Sequence, residues 1–485
     1  MMTQARRVRT GVTTLVAVAL VAVALYITTG AGGAAQIAPG RARAERIEQA
    51  IATDGRLNAA ADARRAGELG QTAPIVAAAA PGWAGEQLAS PTADDWEPAI
   101  AAATTTPWVY MLTTRYTGPN ACGNRCPTPY IVLRRSSDGG ATWMADQFLC
   151  ECRGQKGQFD PIVEVVPNTG HVYSVWMNDF DVYFSKSTNN GATWTTPVKT
   201  YGKVSWNDKP ILAVSDDGQH VYVAWNGPSG GDPYIAQSHN AGATWTQTKV
   251  VDSTRYYFAF DGDVLPNGTV VFSQSSISYT GPGASPEGQV QVHAIRSTNQ
   301  GASWANVIVD SVELGADCVA DGCSADYYLG HSAVSADQNG ALVMLYDGAT
   351  TAGGPQTIWS KRSTDGGATW SARTALSTAG VFSSFPAMES RGAGDVRVFY
   401  MQQDGGPDAW NVWYRASTDG GLTWSAAVKI SDATSGTAYK SAAGFREPYG
   451  DYGEAAITNG GKFIGVWGEG DSYTGPGGVW INRQL

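Results

Sequence analysis

The chain has 485 residues, of which 43% are hydrophobic, 10% aromatic and only 16% charged. This composition excludes a disordered chain, a coiled coil and a collagen-like fibre, and it provides enough apolar residues for a large core. The 33 Lys and Arg residues are outnumbered by 43 Asp and Glu residues, which gives a net charge of -10. A nucleic-acid partner held by phosphate neutralisation is therefore not expected.

Residues 1–35 have the pattern of an export signal. Arg6, Arg7 and Arg9 precede an uncharged apolar run over residues 12–27, and small residues follow to Ala35. This order predicts a signal peptide cleaved near Ala35. A retained membrane anchor is the alternative, although the run is shorter than the roughly 20 residues of a typical span. Both interpretations predict that the rest of the chain is secreted or held at the cell surface.

Six cysteines lie in three close groups: Cys122 and Cys126, Cys150 and Cys152, and Cys318 and Cys323. An exported chain favours disulfides. The middle two cysteines are too close for an easy mutual bond, so both are expected to pair with the first group, and the last group is expected to close a small loop. A zinc site formed by the first four cysteines is the alternative.

Residues 36–90 are Ala-rich and indicate a linker that could also supply a closing strand. In residues 91–485, short strands rich in Val, Ile, Tyr, Trp and Thr alternate with Gly, Asn and Asp, and this texture predicts an all-β domain. One octapeptide recurs six times at intervals of 51 to 66 residues: 136–143, 187–194, 238–245, 297–304, 363–370 and 417–424. Such a period, with about four strands per unit, predicts a radial or stacked β array.

The octapeptide resembles the Asp box (BNR repeat), Ser-x-Asp-x-Gly-x-Thr-Trp, of the sialidase-like β-propellers. The resemblance implies a β-propeller in which each box lies in a turn away from the active face. Asp138, Asp365 and Asp419 are therefore expected to build turns rather than to catalyse. The inner strands number seven, so we expect seven blades, with a strand from residues 72–90 completing the last sheet. Six blades with an extra sheet is the alternative.

The long connections between strands fall on the face opposite the boxes, where binding and catalysis are expected. The resemblance implies three arginines that hold a substrate carboxylate, a Tyr nucleophile with a Glu partner, and an Asp acid/base. The family's Phe/Tyr-Arg-Ile-Pro motif is absent, because the first inner strand reads Trp96-Glu97-Pro98-Ala99. By position, the catalytic candidates are Asp160, Asp208, Tyr449 and Glu447. The substrate-binding candidates are Arg153, Arg255, Arg446, Trp206 and Tyr327.

These candidates predict an exported, sialidase-like exo-glycosidase that acts on extracellular glycans as a monomer and needs no organic cofactor. A structural calcium ion at Asp179 and Asp181 is a weaker expectation. The alternative is a non-catalytic propeller that binds a glycan or a protein, with the inner-strand acids capping backbone N–H groups or pairing with Lys209 or Arg446. No phosphate loop, dinucleotide fingerprint, serine-hydrolase elbow or zinc-protease helix occurs in the sequence.

Overall fold

The described part of the chain is all-β apart from one helical turn, α1 (Pro228–Gly231). The structure, a computed structural model, describes residues 78–118, 127, 129–149, 157–280, 285–316, 330–404, 409–434, 436, 453–470 and 477–485. The expected export segment and all six cysteines lie outside these residues. Among the residues described, no helix is long and apolar enough to cross a membrane.

The described strands form seven antiparallel sheets of four strands each. The strand that comes first in the chain is β1 (Gln87–Leu88). Blade 1 consists of β2 (Asp94–Ala102), β3 (Val109–Thr117), β4 (Tyr130–Ser136) and β5 (Gln147–Phe148). Blade 2 consists of β6 (Gln158–Val165), β7 (Val172–Asn178), β8 (Asp181–Ser187) and β9 (Val198–Lys199). Blade 3 consists of β10 (Asp208–Val214), β11 (Val221–Asn226), β12 (Pro233–Ser238) and β13 (Thr246–Lys249).

The remaining four blades continue in chain order. Blade 4 consists of β14 (Tyr256–Val264), β15 (Val270–Thr280), β16 (Ser285–Ser297) and β17 (Ala305–Glu313). Blade 5 consists of β18 (Ser332–Ala336), β19 (Leu342–Gly348), β20 (Thr357–Ser363) and β21 (Thr374–Ala375). Blade 6 consists of β22 (Ser383–Ser390), β23 (Val396–Gln403), β24 (Trp410–Ser417) and β25 (Val428–Lys429). Blade 7 consists of β26 (Glu454–Ile457), β27 (Phe463–Gly470), β28 (Gly477–Arg483) and β1.

The seven sheets form a closed ring. The inner strand is the first strand of each of blades 1–6 and β26 in blade 7. Each inner strand contacts the inner strand of the next blade, and β26 contacts β2. Apolar side chains pack between neighbouring blades, where both faces of a twisted sheet must be covered. The seven-bladed prediction is therefore confirmed, and the six-bladed alternative is wrong.

The ring closes through the N-terminal segment. Gln87 pairs with Ile481 and Leu88 pairs with Trp480, so β1 is the outer strand of blade 7. Just before it, Trp83 is only 6% exposed and packs edge-on against Tyr414, with ring centroids 4.9 Å apart. Pairing the two ends of the domain in one sheet removes the unpaired edges that an open ring would expose.

A buried group of charges holds this closing segment against blade 1. The Arg115 guanidinium donates to both oxygens of Asp95, at 2.7 and 2.8 Å, and lies 2.7 Å from Asp146. Arg134 donates to Asp146 at 2.6 Å and to the backbone carbonyl of Ala89. Arg115 and Asp95 are almost fully buried, with 0% and 1% exposure. The sequence analysis did not predict this group.

The Asp boxes build turns, as expected. In the first box, the Ser136 hydroxyl donates to Asp138 Oδ1 at 2.7 Å and accepts the N–H of Gly140 at 2.9 Å. Asp138 Oδ1 also accepts the N–H of Thr142 at 2.9 Å. Burial tends to raise the pKa of Asp138, but these hydrogen bonds lower it to about 2. In the third box Gly242 has φ +81, and the Phe184 ring of the preceding blade occupies the space where a Cβ would lie.

Candidate functional site

Four inner strands begin with the same irregularity, a residue of positive φ followed by proline. These residues are Glu97, Asp160, Lys209 and Phe385, with φ values of 52°, 49°, 50° and 55°. The pairing with the second strand shifts at each of them. Left-handed backbone costs a residue with a side chain on the order of 1–3 kcal/mol, and a bulge re-aims the side chain it carries. Four residues with strained backbone therefore lie at the end of the channel opposite the Asp boxes.

The first two of these residues meet Tyr116 between blades 1 and 2. Glu97 Oε1 accepts the Tyr116 hydroxyl at 3.1 Å, and Glu97 Oε2 accepts the backbone N–H of Asp160 at 3.1 Å. The exposures of Glu97, Tyr116 and Asp160 are 3%, 4% and 5%. We name these three residues the entrance site.

The entrance site combines the Tyr116 hydroxyl, the Glu97 carboxylate that accepts its hydrogen bond, and Asp160 of the next blade, which contributes its backbone N–H. A phenol hydrogen-bonded to a carboxylate is an activated nucleophile. Two carboxyl groups with different surroundings are also the machinery of glycosidic bond cleavage. The entrance site therefore holds the residue types that nucleophilic chemistry with acid/base assistance uses.

Asp208, the second predicted catalytic acid, lies at the start of β10, one blade further round the ring. Its Oδ2 accepts the side-chain N–H of Asn226 at 3.3 Å, and Asn226 Oδ1 accepts the N–H of Ala259 at 3.2 Å. Asp208 is 5% exposed. The residue is thus part of a junction between blades 3 and 4, whereas Asp160 belongs to the junction between blades 1 and 2.

A histidine and an aspartate form a second polar pair near the start of the inner strands of blades 5 and 6. His331 Nδ1 lies 3.5 Å from Asp347 Oδ2, which also accepts the Ser384 hydroxyl. The His331 ring lies between Phe260 and Phe385, with centroid distances of 5.0 and 4.5 Å. These contacts fix the orientation of the imidazole in the channel.

Two predicted substrate-binding residues serve the packing of the blades. Arg255 donates four hydrogen bonds of 2.6–2.9 Å to Ser276, Ser278 and Gln289, so four of its five N–H groups are used within blade 4. Trp206 is 6% exposed and stacks on Phe180 at 5.5 Å, which leaves little ring surface for a sugar. We therefore do not include either residue in the entrance site.

The other predicted site residues lie outside the described residues: Arg153, Arg446, Glu447, Tyr327 and Tyr449. Asp179 and Asp181, the expected calcium ligands, are described, and Asp181 accepts the Tyr201 hydroxyl at 2.8 Å. In the described part of the chain, no group of three or more His, Cys, Asp or Glu side chains is close enough to hold a metal ion.

A second group of acids lies deeper in the channel, in the later part of the inner strands of blades 2, 4 and 6 and at the first residue of β26. We name it the acidic ring, and it consists of Glu164, Asp261, Asp263, Glu389 and Glu454. Burial raises the pKa of Asp261 to about 7. Burial also raises the pKa values of the other four above their usual values, and repulsion between the carboxylates adds to this effect.

Most acids of the ring also connect blades. Asp261 Oδ2 accepts the N–H of Val334 at 2.9 Å, and Asp263 Oδ2 accepts that of Ala336 at 2.7 Å. Glu454 Oε2 accepts the N–H of Ile100 at 2.8 Å, across the junction where the ring closes. Asp261 and Asp263 line the cavity that extends to the Asp-box face.

No protein-family model matches the chain, and no curated protein matches its sequence. Among solved structures, a protein of unknown function from Dyadobacter fermentans DSM 18053 is 14% identical, covers 83% of this chain and 99% of its own length, and has a TM-score of 0.47. The Hadza microbial sialidase Hz136 is also 14% identical, with 81% and 65% covered and a TM-score of 0.42. A polysaccharide lyase, a PL25 ulvan lyase, is 9% identical, with 81% and 95% covered and a TM-score of 0.49. These likenesses are too weak to indicate a function, and the seven-bladed fold rests on the strand pairing itself.

Proposed function

We propose that the chain is a sialidase-like glycoside hydrolase of extracellular glycans, and that the entrance site is its catalytic site. The observation that carries the proposal is the 3.1 Å hydrogen bond from the Tyr116 hydroxyl to Glu97, beside Asp160 of the next blade. The Asp-box resemblance implies the same three residue types in the funnel. The expected export of the chain would bring the site to extracellular glycans.

In the proposed first step, the Tyr116 oxygen attacks the anomeric carbon while Glu97 accepts the phenolic proton. The bond from that carbon to the leaving oxygen breaks, and Asp160, in its acid form, gives this oxygen a proton. In the second step, Asp160 accepts a proton from water as the water oxygen displaces Tyr116. Glu97 then returns the first proton to the tyrosine. Protons and bonds balance over the two steps, and no cofactor takes part.

The test is an activity screen of the purified exported chain against chromogenic glycosides, including sialosides. Tyr116→Phe, Glu97→Gln and Asp160→Asn are each expected to lower the rate roughly 10²–10⁴-fold. Tyr173→Phe is the matched control, because Tyr173 is also buried and donates one hydrogen bond of 3.1 Å, to the carbonyl of Gly218 in a turn on the Asp-box face. Equal loss in the control and in Tyr116→Phe would refute the assignment.

One observation favours a second function, a propeller that binds a glycan or a protein without catalysis. Glu97 Oε2 accepts a backbone N–H of the next blade, as do Asp261 and Glu454, so its carboxylate has a structural role as well. A glycan array run beside the screen separates the two functions. Saturable binding without release of any glycoside would support the binding propeller and overturn the hydrolase.

A further inference from the structure

The later parts of the inner strands enclose a central cavity that is distinct from the entrance site. Its volume is about 490 Å³, which lies within the range of ~300–1,000 Å³ found for small-molecule sites. The rings of Phe260, His331 and Phe385 line one end. The other end reaches the turns that follow the inner strands, at Asn168 and Asp216. The cavity therefore extends to the Asp-box face of the ring.

The acidic ring lines this cavity, and Glu164 differs from its other members in its hydrogen bonding. Asp261, Asp263 and Glu454 use an oxygen to bind the backbone of the next blade, and Glu389 accepts the N–H of Ser390 at 3.2 Å. Glu164 accepts no hydrogen bond from any described residue. Glu164 is partly exposed and lines the cavity, and the groups that act on its charge are the other four acids of the ring.

A positively charged side chain, Arg391, lies at the rim of the cavity. Arg391 acts on the charge of Glu389. Its guanidinium donates to the backbone carbonyl of Thr104 at 2.7 Å and also to that of Thr458, so it is held by two turns. The guanidinium of Arg391 is therefore held by backbone carbonyls, and a positively charged ligand in the cavity could pair with Glu164.

The arrangement of the acids favours a ligand with several separated positive charges over a single metal ion. No three described carboxylates are close enough to coordinate one metal ion, whereas Ca²⁺ needs about six to eight oxygen ligands around one point. A flexible chain with several ammonium groups matches acids spread around a cavity, because each group can pair with a different carboxylate. The rings of Phe260 and Phe385 add aromatic faces, which attract ammonium groups.

We propose that the central cavity binds a linear aliphatic polyamine, whose ammonium groups pair with the acidic ring and whose end group lies against Phe260, His331 and Phe385. The site runs along the central channel, from Phe385 near the start of the inner strands to the turns on the Asp-box face. It does not depend on the proposed hydrolase, because it uses none of the entrance-site residues.

Isothermal titration of the full chain at pH 7 with spermidine, putrescine and CaCl₂ tests the proposal. Spermidine is expected to bind saturably, more tightly than putrescine, and CaCl₂ is expected not to compete. Glu164→Gln is expected to weaken spermidine binding roughly ten-fold, the scale of one lost charge-assisted hydrogen bond. Glu287→Gln, which makes the same charge change at an exposed position, is the control and should bind as the wild type does.

Protonation gives an independent readout. The carboxyls that act on the charge of Glu164 are Glu389, Glu454, Asp263 and Asp261. Burial raises the pKa of Asp261 to about 7, so this group is partly protonated at pH 7. Ammonium groups favour the ionised carboxylates, so binding should release protons, which titration in two buffers of different ionisation enthalpy detects. Absence of saturable spermidine binding, equal binding by Glu164→Gln, or displacement by calcium would each overturn the proposal.

Discussion

Removing Arg115 should destabilise the ring strongly at neutral pH. The guanidinium makes two hydrogen bonds to Asp95, whose only other described cation is Arg134, at 3.7 Å. Arg115→Met would leave a carboxylate that is 1% exposed without its main partner. Breaking a buried ion pair from one side costs about 3–5 kcal/mol. Asp146 keeps its bonds to Arg134, so we expect the loss to come mainly from Asp95.

Urea unfolding at pH 7, followed by tryptophan fluorescence, measures this loss. Arg397→Met is the matched control, because its pair with Asp395 is partly exposed, at 15% and 30%, and such pairs contribute about 1 kcal/mol or less. The double variant Arg115→Met/Asp95→Asn should recover much of the stability, since it removes the unpaired charge as well. If Arg115→Met unfolds within about 1 kcal/mol of Arg397→Met, the buried group does not hold the closure as described.

Three further predictions follow from burial and protonation. Trp83→Ala should lower the free energy of unfolding by about 3–5 kcal/mol, because Trp83 is only 6% exposed where the ring closes. Leu422→Ala should change the stability little, because Leu422 is 66% exposed. Thermal unfolding of both variants measures the difference. Burial raises the pKa of Asp261 from 3.8 to about 7. The stabilisation by the protonated carboxyl is therefore fully present below about pH 4 and is lost as the pH rises through 7. The melting temperature of Asp261→Asn should fall less between pH 5 and pH 8 than that of the wild type. Burial lowers the pKa of His293 to about 4, so its imidazole should stay neutral at pH 5.5, and its NMR resonances should not shift between pH 7 and pH 5.5.

The blades could be predicted from the sequence because their signals are local. Each Asp box needs Ser, Asp or Asn, and Gly at fixed positions of one turn, and the structure shows those hydrogen bonds. The X-Pro dipeptides at the start of inner strands are equally local. Asp160-Pro161 lies at a bulge, and Glu97-Pro98 has the same sequence feature and the same bulge. The shared X-Pro dipeptide at the start of an inner strand could have identified Glu97 as a candidate site residue beside Asp160.

The contacts between blades could not be predicted in this way. Tyr116 reaches Glu97 across two strands of one blade, whereas Glu164 meets acids from blades 4, 6 and 7. Such contacts depend on the ring as a whole, and no spacing along the chain encodes them. The register shift between Phe159 and Ile162 adds to the difficulty, because a bulge changes which side of the strand later residues face.

The most direct test of the entrance site is to trap the covalent intermediate. A fluorinated analogue of the glycoside that the screen identifies slows the second step, and mass spectrometry of a protease digest then locates the sugar. We predict that the sugar is attached to Tyr116 and that Glu97→Gln forms the adduct much more slowly, because the phenolic proton has lost its acceptor. A sugar attached to another residue, or turnover without a covalent intermediate, would contradict the assignment of Tyr116 as the nucleophile.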